Sequence, residues 1–299
     1  MRARALHPDV LVVTSALLQV NCVLVRGAGP AEPGPPPERA GAALNVIEVP
    51  PGGSRGAEEP AAPAAVAETF VIDSPVLPEE LELLASVLAQ AGFPAPSGLL
   101  ATHADWDHLL GPLAFPEAPL GLSESSAERL AAEPGTAQRE LRAFDEELYL
   151  ERPRPLALAA PQALPVPGRL EIGGVELELH PTGGHTSDGM AIFVPWAGVL
   201  VSGDYLSQIE IPMLNPGGGD VGRYLQTLER LHPLIAFAEH VVPGHGPVLS
   251  SERAAEILDQ DAAYLQALAE RGAEAELPAG RRSHEMRTIH ARNVERLAV

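Results

Sequence analysis

The feature that most restricts the fold is "LLATHADWDHLLG", residues 99 to 111. An apolar run of strand character empties within six positions into His103, Asp105, Asp107 and His108, and an apolar, helix-like run follows at once. Burying charge and imidazole without partners is costly, so a chain that concentrates them at a strand exit must bring something to them. Three further loops follow the same plan: "PTGGHTSDG", "VSGDYLS" and "VPGHGPV" each come after a strand-like run. Ionisable residues at strand exits are how α/β folds gather groups from distant chain positions into one cleft. Together the loops offer His103, Asp105, Asp107, His108, His185, Asp204 and His245. Imidazoles and carboxylates without thiolate suit divalent zinc, iron or manganese. Seven such groups exceed what one ion commonly takes from protein, whereas two ions sharing a bridging carboxylate would use them all.

The surrounding chain alternates strand and helix signals. "LPEELELLASVLAQAG" places Pro78 in a first helical turn, Leu81, Leu84 and Leu88 on one face, and Gly92 as a stop. "SESSAERLAAE", "AQRELRAFDEELYL", the segment opening at Asp220 and "SSERAAEILDQDAAYLQALAERG" read as helices; "LEIGGVELELH", "MAIFV" and "GVLVSGD" read as strands with Gly turns between them. Residues 27 to 68 are rich in Pro, Gly and Ala, and read as a long disordered insertion in which "LNVIEV" forms a short strand. The flanks "VNCVLVRG" and "TFVIDSP" look like strands, so the insertion is the expanded tip of a hairpin. The expected organisation is one domain over residues 1–270 and an Arg-rich helical tail over 271–299. "MRARALHPDVLVVTSALLQVNCVLV" carries two Arg before an apolar run, but His7, Pro8 and Asp9 interrupt its entry and no small-residue cleavage site follows, so it reads as strand and not as signal peptide.

Composition excludes several function classes. The net charge is −20, from 40 acidic and 20 basic residues, and every basic residue is Arg. A surface this negative repels phosphate backbones and anionic lipid, which argues against nucleic acid and membranes and for a small-molecule substrate. No Lys is present to act as nucleophile or Schiff base. No run reaches the roughly 20 apolar residues of a membrane span. The lone Cys22 cannot pair internally, reads as a small core residue, and fits a cytoplasmic location. His180, His232 and His240 have no motif around them and read as structural. Trp106, between two acids, either packs beneath its loop or lines a pocket.

Five motifs in order closely resemble those of the metallo-β-lactamase superfamily: "VIDSP" around Asp73, "THADWDH", "GGHTSDG", "SGD" and "PGHG". The resemblance runs from residue 10 to about 265. It implies an α/β fold, a four-layer αββα sandwich, with a binuclear metal site at one edge. It further implies that His103 and His185 bind a first ion, that Asp107, His108 and His245 bind a second, that Asp204 bridges them, and that Asp73 steadies the ligand loops. The implied activity is that of a metallohydrolase using a metal-bound hydroxide on an ester, thioester or lactone, with Asp107, Asp204 and Tyr205 as candidate catalytic residues. Tyr205 would offer its phenol to a developing oxyanion.

Asp105 departs from the family pattern, which has His there. As a ligand of the first ion it would bring the carboxylates to three; with a hydroxide they sum to −4 against +4 from two divalent ions. Such a neutral cluster is a weaker Lewis acid and favours manganese or iron over zinc more than an imidazole-rich site does. Flavodiiron oxidoreductases, which share the fold, also carry a carboxylate at this position, so an iron-dependent oxidoreductase stands as an alternative, and a non-catalytic binding protein with a modified site as another. The segment "YLSQIEIPMLNPGGGD" has no Arg; Arg223, Arg281, Arg282 and Arg287 are the nearest candidate anchors for an anion.

Overall fold

Side chains alternate between the two faces of a strand, and in the central strands of this chain both sets are apolar, so those strands demand cover on both sides. Val10, Val12, Val23, Val25, Phe70, Ile72 and Leu100 enter one cluster, while their neighbours Val13, Cys22, Leu24, Val71 and Leu99 enter another. The computed structural model, which describes residues 1–27, 46–47, 66–158 and 160–297, meets that demand with layers.

One sheet contains β1 (Arg2–His7), β2 (Val10–Thr14), β3 (Asn21–Gly27), β5 (Glu68–Ile72), β6 (Gly98–Leu100), β7 (Leu120–Ser123) and β8 (Gln162–Leu164), in that spatial order. The other runs β14 (Leu249–Ser250), β13 (His240–Pro243), β12 (Val199–Gly203), β11 (Met190–Val194), β10 (Val175–Pro181), β9 (Gly168–Ile172) and β4 (Val46–Ile47). Their facing sides close over the first cluster, to which the second sheet adds Leu177, Leu179, Ile192, Val201 and Val242. The outer face of the first sheet is covered by α1 (Pro78–Gln90) and α4 (Thr136–Leu148), with the short α2 (Gly111–Ala114) packed beside α1 and α3 (Glu124–Ala132) following β7. The outer face of the second is covered by α5 (Val221–Phe237), α6 (Ser251–Arg271) and α7 (His284–Leu297). This is the four-layer αββα sandwich.

Local chemistry sets the helix ends. Pro78 occupies the first turn of α1, the Asp220 carboxylate accepts the Arg223 amide at 2.7 Å, and Ser250 accepts the Arg253 amide. Leu81, Leu84 and Leu88 turn inward from α1 as their spacing predicts, each contributing roughly 1.5–3 kcal/mol by burial. The hairpin reading of the first quarter holds: β3 pairs antiparallel with β5 from Gly27↔Glu68 to Val23↔Ile72. The insertion expected over residues 27–68 falls outside the described residues except at its ends and at β4, which pairs with β9. The tail is not a separate appendage: Met286 and Ile289 of α7 enter the same core as α5 and α6, and Asn293 is fully buried. Among the described residues no helix is long and apolar enough to cross a membrane.

Strand directions place the loops. β2 and β5 are both antiparallel to β3, β6 is parallel to β5, β10 and β12 are both antiparallel to β11, and β13 is parallel to β12. The loops that leave β5, β6, β10, β12 and β13, together with the turn after β2, therefore converge at one edge.

Candidate metal centre

Two tight groups form at that edge: His103, His185 and Asp204, and beside them Asp107, His108 and His245, each with ligand atoms within 4.8 Å of one another. Ligand atoms about 2.0–2.2 Å from a tetrahedral ion stand about 3.3–3.6 Å apart. In the first group His185 Nε2 lies 3.3 Å and His103 Nε2 3.8 Å from Asp204 Oδ2. In the second, His245 Nε2 lies 3.4 Å and His108 Nε2 3.7 Å from Asp107 Oδ2. Asp204 reaches both groups, its Oδ1 3.2 Å from His108 Nε2 and its Oδ2 3.4 Å from His245 Nε2. A Cβ on Gly244 would collide with the Asp204 carboxylate, so only glycine admits the bridge at that point.

The outer side of each imidazole is tied down. Nδ1 of His185 donates to the Met213 carbonyl at 2.9 Å, that of His245 to the Leu18 carbonyl at 2.8 Å, and that of His108 to Asp73 at 3.0 Å. His103 Nδ1 lies 3.1 Å from the Thr102 hydroxyl, which itself donates to Asp73. Fixing the proton on Nδ1 turns the Nε2 lone pair inward, the arrangement of a metal-ligating histidine. Asp73 holds the loop after β6 at two points, Thr102 and His108, from a left-handed backbone (φ 56°). Nε2 of His103, Nε2 of His108 and Oδ1 of Asp204 are buried without a hydrogen-bond partner. Native structures rarely leave such atoms unpaired, and two divalent cations, one in each group and sharing Asp204, would satisfy all three.

The electrostatics agree. Burial opposes charge on every one of these side chains. Mutual attraction outweighs it: the Asp204 carboxyl, beside His245, His108 and His103, stays well below the usual range. His185 is pushed up to about 9 by Asp105 and Asp204, and His108 and His245 are also raised well above the ordinary imidazole value, Asp204 being the main counter to burial in each. A divalent ion would replace those protons.

The family model for the metallo-beta-lactamase superfamily matches residues 68–258, which includes every residue of this centre. The chain belongs to that superfamily. Among solved structures, the metallo-beta-lactamase family protein TTHA1429 of Thermus thermophilus is 23% identical, with 89% of this chain and 83% of that one covered and a TM-score of 0.58. TTHA1623, solved in a di-iron-bound form, is 21% identical over 82% of this chain and 97% of its own, at 0.53. The sec-alkylsulfatase Pisa1 of Pseudomonas sp. is 15% identical over 90% of this chain and 42% of its own, at 0.60. A search of curated proteins finds no match.

Asp105, the departure from the superfamily pattern, stands next to the first group. Its Oδ2 is 3.3 Å from His185 Nε2 and 3.6 Å from His103 Nε2, spacings that suit a further ligand, and accepts a hydrogen bond from Asn215. Its Oδ1 pairs with Arg129 at 2.8 Å, and the same guanidinium nitrogen lies 2.9 Å from the fully buried Asp188. One cation and one further anion leave the charge tally of the centre unchanged, but they spread the Asp105 charge away from the ion.

Tyr205 is not where the sequence reading needs it. It is buried; its hydroxyl accepts the His185 amide at 3.2 Å, and its ring packs on Tyr224. It supports the His185 loop and does not line the cavity. Arg281 is likewise spent, buried against Asp261. Trp106 does both of its expected jobs, packing on Phe144 and lining the cavity. That cavity, about 590 Å³, opens over Asp107, Asp204 and His245 and is walled by Leu18, Trp106, Met213 and the α7 residues His284, Glu285, Thr288, Ile289 and Arg292. His180, His232 and His240 fall outside both metal-binding groups. Arg129, Asp188 and Asn215 escaped the sequence reading, because a lone Arg on an ordinary amphipathic helix carries no motif. Asp188 had a weak signal, lying inside "GGHTSDG".

Proposed function

We propose that the protein is a binuclear metal-dependent hydrolase acting on an ester, thioester or lactone. The observation that carries this reading is the set of buried, partnerless Nε2 and Oδ atoms that belong to two adjacent ligand groups beneath an open cavity. His103, His185, Asp105 and Asp204 would hold one ion, and Asp107, His108, His245 and Asp204 the other. Ions there would activate water near neutral pH and polarise a carbonyl oxygen. The chain's own contribution is to fix the ligands, through Asp73, Met213 and Leu18, and to shape the space above them. Apolar Leu18, Trp106, Met213 and Ile289 suit an acyl group. Beyond the metal-binding residues the cavity presents Glu140, Glu210 and Glu285 against a single guanidinium, Arg292, which disfavours strongly anionic substrates. Zinc is the family's usual metal, and the Asp105 carboxylate also suits iron or manganese.

Two measurements test this. Elemental analysis of protein purified without added metal should give two transition-metal ions per chain. A panel of thioesters, lactones, carboxyl esters and phosphodiesters should show turnover concentrated in the first three; preference for phosphodiesters, or bound iron with oxygen uptake and no hydrolysis, overturns the assignment.

A further inference from the structure

The family match ends at residue 258, before α7, yet α7 and the turn leading into it grip the loop that follows Asp204. Arg281 donates to the carbonyls of Ser207 and Glu210 at 3.1 and 2.8 Å. The fully buried Asn293 accepts the Leu214 amide at 2.8 Å and donates to the Pro212 carbonyl at 2.7 Å. Arg296 donates to the Asn215 carbonyl at 3.1 Å. The residues so held are the ones that position the first group. Met213 supplies the carbonyl for His185 Nδ1, the Asn215 amide donates to the His185 carbonyl at 2.8 Å, and the Asn215 side chain donates to Asp105. The second group is steadied elsewhere, His108 by Asp73 and His245 by Leu18.

We infer that Asn293 is a positioning residue for the ion held by His103, His185, Asp105 and Asp204, acting through the 212–215 loop and leaving the other ion untouched. This rests on the binuclear reading above. A buried amide that satisfies one donor and one acceptor on either side of Met213 fixes where that carbonyl sits, and the carbonyl fixes the His185 ring. Outer partners of metal-binding histidines are worth about 10–100-fold in metal affinity. Because the outer partners of His108 and His245 lie outside the 212–215 loop, the loss should fall on one site only.

The test is titration of chelator-stripped protein with Co²⁺, followed by visible absorption and stoichiometry. Wild type should take two equivalents. Asn293→Leu should retain one tight equivalent and bind the other about 10–100-fold more weakly. Pairing resolves which ion is affected: Asn293→Leu added to His185→Ala should change little further, whereas added to His245→Ala it should weaken the remaining ion. Should Asn293→Leu fail to fold, Arg296→Ala, a half-buried position, should show the same selectivity to a smaller degree. Equal weakening of both ions, or none, with a wild type that binds two, overturns the role of Asn293 alone; a wild type that binds no Co²⁺ overturns the binuclear reading and this inference with it.

Discussion

Two buried clusters of charge in this protein look alike in composition and differ in completeness. Behind the cavity, Arg281 and Asp261 are 3% and 2% exposed at their side chains and 2.6 Å apart, and Arg281 also reaches the carbonyls of Ser207 and Glu210 and the Gln260 side chain. At the sheet edge the imidazoles and carboxylates are also largely buried, yet two Nε2 atoms and one Oδ atom have no partner. The first cluster closes on itself and is structural. The second is closed only on its outer side, and a cation would complete it. Even a closed pair is costly: burial lifts the Asp261 carboxyl to about 7 against the pull of Arg281.

The comparison can be broken at several points. The largest effect should come from Asp261→Ala, which strands Arg281 in the interior. It should cost about 3–5 kcal/mol in denaturant unfolding, and added metal should not repair it specifically. An unchanged midpoint would show that the pair carries no such weight. Next comes metal removal. A ligand present at about 100 times its dissociation constant stabilises by about 2.7 kcal/mol, so chelation should lower the unfolding free energy by that order or more. The gap should also depend on pH. In the metal-free protein the His185 pKa is raised to about 9 from the ordinary value of about 6.5. A raised basic group contributes stability that is whole below about pH 6.5 and is lost as pH climbs through about 9. The loaded protein no longer carries those protons, so melting of loaded and chelated samples should diverge from about pH 6 to about pH 9; parallel curves would contradict the replacement of those protons by an ion. Smaller still is Asp73→Asn, which leaves all ligands in place and should weaken metal binding about 10–100-fold through His108 and Thr102. A titration identical to wild type would reduce Asp73 to packing.

Much of the centre was legible in the chain because its ligands lie in short loops with fixed neighbours. His103, Asp107 and His108 share one loop, and a Gly immediately precedes each of His185, Asp204 and His245. The alternation that buries Val23 and Leu24 on opposite faces was equally readable, since it depends only on the period of a strand. Two expectations failed for one reason. Tyr205 follows Asp204 in sequence, but the Asp204 carboxylate turns to the edge after β12, and the next side chain turns back under the His185 loop. Arg281, in an Arg-rich tail, was a candidate anchor for an anion and instead ties that tail to the core.

The sequence by itself determined which residues are candidates for the chemistry and which runs become strands, because ligand type and side-chain period are properties of neighbouring positions. Only the tertiary structure decided what stands behind them: the Met213 and Leu18 carbonyls, Arg129 beside Asp105, and Asn293 from the last helix. Those partners are backbone atoms or single side chains drawn from distant segments, and their identity depends on three-dimensional packing, which leaves no spacing or motif along the chain.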